Sequence, residues 1–246
     1  MCKLACLLQN ENPVQGRAVT NNSIVSAKGL SRTFFLGGEP VRAIDGVDLE
    51  VGEGEFVVFK GKSGSGKSTL LSLIAGLDRP TSGSLEVSGI DLQKLSSGQL
   101  ARFRQERVGM VFQSFNLLPT LSVVENIALP ALLAGGQTGP VYEKARELLR
   151  LAELEHRAHH RPSEISGGEM QRTAIARALV NDPVLIIADE PTGNLDTKTG
   201  ERILDFIKDL NRNLGRTVIV ATHSTNTDAM AHRILNLEDG RIIQVT

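Results

Sequence analysis

One octapeptide constrains this chain more than anything else in it. Gly61-Lys62-Ser63-Gly64-Ser65-Gly66-Lys67-Ser68 fits G-x-x-x-x-G-K-[ST] at every position. Ahead of it, Glu55 to Lys60 is a nearly continuous β-branched and aromatic run, the pattern of a strand buried on both faces of a sheet. Behind it, Thr69 to Ala75 reads as a helix with Gly76 beyond its end. A phosphate cradle needs this order. Glycines let backbone N–H groups turn inward around phosphate oxygens, and the following helix aims its positive end at the same charge. Lys67 then supplies a mobile cation for β- and γ-phosphates, and the Ser68 hydroxyl is a candidate ligand for Mg²⁺. The candidate nucleotide contacts are Gly61, Lys62, Ser63, Gly64, Ser65, Gly66, Lys67, Ser68 and Thr69. Among them, Lys62 either adds charge near the nucleotide or is a solvated lysine.

Two further buried-strand runs, Val184 to Ala188 and Thr217 to Ala221, each follow helical sequence. Parallel strands joined by crossover helices are expected, hence an α/β fold whose sheet is mixed and mostly parallel. Arg233 to Glu238 and Arg241 to Val245, separated by Asp239-Gly240, read as a hairpin that makes an antiparallel β edge. From Phe115 to Ser163 the texture is helical. Ser122 stands three residues before Glu125 as a capping box, and Val141 to Leu154 is amphipathic. This interval predicts a helical subdomain, approximately 114–165, inserted into a domain of residues 24–246. Residues 1–23 read as a flexible tail, polar and aperiodic from Gln9 to Asn22. Its Cys2 and Cys6 offer no disulfide framework, which fits a reducing compartment. Lipid attachment at Cys6 is the sharper reading of that tail, and a plain cytosolic segment the simpler one.

Two more motifs bear on chemistry. The run Val184 to Ala188 ends in Asp189 and Glu190, at the carboxyl edge where α/β sheets bind ligands. Beside a phosphate loop, such an Asp holds Mg²⁺ and such a Glu polarises an attacking water; alone, the pair would be a solvated helix cap. Farther back, Ser166-Gly167-Gly168-Glu169 opens a helical run, Thr173 to Val180. The plain reading is a capping box between Ser166 and Glu169. A helix start bearing two glycines is also an anion site, and one phosphate chain already has its cradle at Lys67. The sharper expectation is that this second site meets the γ-phosphate held by another copy of the chain.

In this order the motifs resemble those of the ATP-binding-cassette (ABC) ATPases, the nucleotide-binding subunits of ABC transporters. The resemblance spans Ile24 to Thr246. It implies a P-loop NTPase core, ATP and Mg²⁺ as cofactors, ATP hydrolysis, and a dimer that closes around two ATP. Ser166 to Glu169 is similar to the family signature Leu-Ser-Gly-Gly-Gln, with Ile165 and Glu169 departing at its ends. Gln113 matches the family's Q-loop glutamine, which contacts the metal or the attacking water. His223 matches its switch histidine, and Asn194-Leu195-Asp196 its D-loop. Phe34 lies where the family stacks an aromatic ring on adenine, and Phe35 is the neighbouring candidate. The resemblance thus implies Glu190, His223 and Gln113 as catalytic residues and Ser68, Gln113 and Asp189 at the metal.

The segment Phe112 to Asn126, together with Val41 to Val47, is similar to the lipoprotein-releasing and macrolide-exporting branch. That branch implies integral membrane permease subunits as partners, a membrane-fusion protein in the export arrangement, and a peripheral place on the cytoplasmic side of the inner membrane. Phe115, Leu117 and Leu118 are either a dock for the permease or core positions. A regulatory ABC ATPase serving a cell-wall hydrolase or a cluster-assembly complex is the alternative reading. Composition agrees with the main reading at two points. A formal net charge of −1 makes no case for nucleic acid, and no run reaches the roughly 18 apolar residues of a spanning helix.

Overall fold

The computed structural model describes residues 23–246. The tail expected to be flexible, with Cys2 and Cys6, lies outside the described residues apart from Ser23. In chain order the regular elements are β1 (Ser23–Leu36), β2 (Glu39–Gly52), β3 (Phe56–Lys60), α1 (Lys67–Ile74), β4 (Ser82–Val87) and β5 (Ile90–Asp91). There follow α2 (Ser97–Arg107), β6 (Val108–Phe112), α3 (Val123–Leu133), α4 (Thr138–Leu151) and α5 (Gly167–Leu179). The last are β7 (Leu185–Asp189), α6 (Thr197–Leu214), β8 (Thr217–Ala221), β9 (Arg233–Glu238) and β10 (Arg241–Val245).

The strands form two sheets. A six-stranded sheet runs β10-β9-β3-β8-β7-β6, parallel except where β10 returns beside β9. The turn expected at Asp239-Gly240 has φ of 47° and 75°, the doubly positive geometry of a tight hairpin. The unbroken apolar runs of β3, β7 and β8 are explained by burial on both faces. Val57, Phe59, Leu185, Ile187, Ile219 and Ala221 enter one core, with α1 and the second sheet. Phe56, Val58, Ile186, Ala188, Val218 and Val220 enter the other, with residues of α3 to α6. A side-chain period of two sends alternate residues to opposite cores, so neither side can be polar.

The second sheet, β2-β1-β4-β5, is antiparallel and stands apart from the parallel sheet. It is distinct from the antiparallel edge expected at residues 233–245, which is the β9–β10 pair of the other sheet. Its long strands slip register between Ala27 and Leu30, Leu30 and Arg32, and Arg32 and Thr33. Gly29 and Gly46 take φ of 57° and 67° in these strands. Bulges of that kind erase the alternation by which a half-buried strand is read. In the helical interval, the Ser122–Glu125 capping box is present and opens α3. The amphipathic helix α4 starts and stops three residues before its expected ends, at Thr138 and Leu151, with Glu153 at φ 57° just beyond it.

Candidate nucleotide site

The carboxyl ends of β3, β7 and β8 meet the loop before α1. There an open cleft of about 430 Å³ is lined by Ala43, by every residue from Gly61 to Thr69, and by Gln113, Glu190 and His223. Two glycines of the loop are sterically obligatory. A Cβ on Gly61 would lie 2.3 Å from the Leu237 carbonyl oxygen, and one on Gly66 would lie 2.5 Å from that of Ala43. Both also hold positive φ, 152° and 104°. Gly66 is the N-cap of α1, and no side chain caps that helix start. An anion is therefore the natural partner for its first N–H groups. Lys67, 8% exposed, donates from Nζ to the carbonyls of Gly61 at 2.6 Å and Lys62 at 3.1 Å. The ammonium is thus folded over the loop whose charge it would share with a phosphate.

Asp189 ends β7 beside Ser68. Its Oδ1 is buried and has no hydrogen-bond partner. Burial pushes its carboxyl up, helped by the neighbouring Glu190 charge, against the Ser68 hydroxyl bond and Lys67. An orphaned, buried oxygen on a half-buried carboxylate, next to a hydroxyl and a phosphate cradle, fits a hard divalent cation such as Mg²⁺. No cluster of three or more His, Cys, Asp or Glu among the described residues could hold a metal. The remaining ligands would be phosphate oxygens and water, as Mg²⁺ prefers.

Glu190 leaves the strand at φ 45°, uncommon for a residue other than glycine, with its N–H on the Ala221 carbonyl at 2.8 Å. Its Oε1 lies 2.9 Å from His223 Nδ1. An ionised carboxylate only accepts, so this bond places the imidazole proton on Nδ1. The His223 side chain is 76% exposed, Glu190's only 18%. Gln113 is tied to Asn194 from both sides: its Nε2 donates to Asn194 Oδ1 at 3.3 Å, and Asn194 Nδ2 donates to the Gln113 carbonyl at 3.0 Å.

Gly193 makes that approach possible, because a Cβ there would lie 2.6 Å from Gln113 Nε2. Gly193→Ala is expected to displace the Gln113 amide and lower kcat by about 10- to 100-fold, with ATP affinity unchanged. Steady-state turnover beside equilibrium ATP binding checks this. An unchanged kcat would show that Gln113 is not needed where it stands.

Ser166 to Glu169 do not line the cleft. They open α5 as a complete capping box, with Ser166 exposed and Gly168 buried. The Glu169 carboxylate is engaged within its own chain, by the Ser166 N–H and hydroxyl and by Arg157 Nε at 3.0 Å. Phe34 is half-buried, with the Arg32 guanidinium 4.4 Å from its ring centre; Phe35 is 74% exposed. Neither ring lines the cleft.

Three contributors escape sequence reading. Ala43 forms part of the cleft wall from β2. Arg177 of α5 holds the carbonyls of Phe115 and Asn116, two successive residues at φ 59° and 51° just after Gln113. Arg157 grips Glu169 across twelve residues. No short-range spacing marks any of these; each is a contact made by the fold.

The chain is similar to known proteins over most of its length. The sequence pattern of the family described as ABC transporter matches residues 44–193. An uncharacterised ABC transporter ATP-binding protein of Thermotoga maritima is 48% identical over 86% of this chain and 90% of its own. The lipoprotein-releasing system ATP-binding protein LolD 1 of Caulobacter vibrioides is 46% identical over 89% and 94%. Among solved structures, the dimeric post-hydrolysis state of the ATP-binding cassette MJ0796 of Methanocaldococcus jannaschii, bound to ADP and Pi, superposes with a TM-score of 0.84 at 43% identity. That superposition covers 90% of this chain and 97% of the other. With a family match over more than half its length and relatives this similar, the chain belongs to the ABC transporter family, as an ATP-binding subunit with ATPase activity.

Proposed function

We propose that two copies of this chain bind two ATP head to tail and hydrolyse them to drive membrane permease subunits. The observation that carries this reading is the separation of two anion sites. The cleft gathers the cradle with Gln113, Glu190 and His223, while the Ser166–Gly168 helix start lies outside it. One triphosphate in the cleft of one copy would meet Ser166, Gly167 and Gly168 of the other. The dimeric state of the superposable cassette supports this arrangement.

Within one site, the loop N–H groups and Lys67 hold the phosphates, and Phe34, whose ring carries the Arg32 guanidinium 4.4 Å from its centre, is the candidate to stack on adenine. Ser68, Asp189 and Gln113 would hold Mg²⁺, which would neutralise phosphate charge when bound. Glu190 takes the proton of the attacking water, and His223 stays hydrogen-bonded to it as it does so.

Among the described residues no helix is long and apolar enough to cross a membrane, so the membrane step belongs to partner chains. A groove of about 460 Å³ between α2, β6, α3 and α5, lined in part by Arg104, Met110, Phe112, Asn116, Pro130 and Arg177, suits a helix of such a partner. Leu118, 44% exposed, extends the apolar surface in the helical interval. We place the chain at the cytoplasmic face of the inner membrane, in export or extraction of a lipid, lipoprotein, peptide or drug.

Light scattering during gel filtration tests the dimer. A hydrolysis-blocked Glu190→Gln chain is expected to pass from monomer to dimer on adding ATP. Adding Ser166→Arg should keep it monomeric, with ATP binding within about threefold of the parent (under 1 kcal/mol). Dimers that form equally well with Ser166→Arg would remove Ser166 from the second site.

A further inference from the structure

The fifth signature position is a glutamate, and the structure shows what occupies it. Glu169 Oε2 accepts the Ser166 N–H and the Ser166 hydroxyl, both at 2.8 Å, while Oε1 accepts Arg157 Nε at 3.0 Å. The carboxylate side chain is only 13% exposed. Burial alone would raise its pKa, but the Ser166 bonds and Arg157 outweigh burial and bring it to about 2. Glu169 therefore carries full negative charge at neutral pH, in a segment that on the reading above receives another copy's triphosphate. An unbalanced carboxylate there would repel the phosphates through a partly dry interface.

Ser166 adds a second constraint. A hydroxyl has one proton to donate. Here it is spent on Glu169, and the hydroxyl oxygen accepts the Glu169 N–H at 3.3 Å. To donate to a phosphate oxygen, the hydroxyl must turn from Glu169, which then keeps only the Ser166 N–H and Arg157. Arg157 is placed to stay. Its N–H bonds the Leu154 carbonyl at 2.9 Å, its Nη1 lies 3.2 Å from His160 Nε2, and it belongs to the turn just after α4. His156 Nε2, 3.8 Å from the same Oε1 on a side chain 64% exposed, is the other cationic candidate and the weaker one.

We propose that Arg157 is a positioning residue for the ATPase reaction: it balances the charge of Glu169 so that Ser166 can release its proton to the phosphate of a second copy. This rests on the head-to-tail dimer reading. Arg157 touches no substrate and acts through Glu169 and Ser166.

The test measures ATP-driven dimerisation by analytical ultracentrifugation, in the full chain carrying Glu190→Gln, beside ATP affinity of the monomer. Arg157→Gln should weaken dimerisation about tenfold without changing monomer affinity, and Arg157→Lys should keep part of it. Glu169→Gln alone removes the charge and should dimerise at least as well as the parent. The double variant Arg157→Gln/Glu169→Gln should return to within about threefold of the parent (under 1 kcal/mol), because no charge is left to balance. A purely structural role for Arg157 predicts that the double variant stays as impaired as the single one. That outcome, or a tenfold loss in Glu169→Gln alone, overturns the proposal while the dimer reading stands. A parent that never dimerises with ATP overturns both.

Discussion

Glu190→Gln is expected to lower kcat for ATP hydrolysis by about 10²- to 10⁴-fold, the range of a lost general base, while ATP still binds. The substitution keeps size and shape and removes only the ability to take up a proton. Glu190 is held for that task by its surroundings. It sits at the lip of β7 with φ 45°, is anchored by its N–H to Ala221, and faces His223 at 2.9 Å. The amide of a glutamine can keep a hydrogen bond to His223, so the cleft should survive the change. Turnover and nucleotide retention, measured on the same preparation, check this. Turnover that stays at the parent level would remove Glu190 from the role of base.

Asp189→Asn should act in two opposite directions. In the protein without nucleotide it should raise Tm, because the native carboxylate keeps a buried, unpartnered oxygen. The sign follows from linkage. The folded-state pKa of Asp189 is raised, so the folded protein holds this proton more tightly than the unfolded chain. The resulting stability is fully present below the unfolded value near 3.8 and is lost as pH rises through the folded one, leaving a cost at pH 7. An unsatisfied buried group costs about 1–3 kcal/mol, and half-burial holds Asp189 to the lower part of that range. Each kcal/mol amounts to about 2–4 °C in a chain of this size.

With Mg²⁺ and ATP present the order should reverse. The parent gains stability by mass action, about 2.7 kcal/mol at a hundred times Kd, and the variant should gain no more with Mg²⁺ than without it. Thermal melts with ATP alone and with ATP plus Mg²⁺ separate the two effects. A lower Tm in the nucleotide-free variant would show that attraction to Lys67 outweighs the cost of burial. An undiminished Mg²⁺ gain would remove Asp189 from the metal site.

Much of this site is legible because its signals are local. The phosphate loop reads from eight consecutive residues, and the structure places all of them on one cleft wall. Asp189 and Glu190 are visible because an apolar run stops at them, and the sheet does end there. The hairpin at Asp239-Gly240 and the capping boxes at Ser122 and Ser166 are likewise short-range patterns that the backbone obeys. Gln113 and His223 have no such local mark. They are marked only by resemblance to a family, and the parallel pairing of β6, β7 and β8 brings Gln113 to Asn194 across 81 residues and His223 to Glu190 across 33.

The sequence by itself determined the alternating α/β core, the cradle and the two acids. Each depends on hydrophobic period, glycine placement or chain order, which are properties of neighbouring residues. The tertiary structure decided the separate antiparallel sheet, whose bulges hide its period, and the contacts that set side chains in place. Gly193 makes room for Gln113, Arg177 pins the two left-handed residues after it, and Arg157 reaches Glu169. These pairs lie far apart along the chain and touch only once the cores are packed. Spacing cannot encode such contacts, because they depend on where whole elements come to rest.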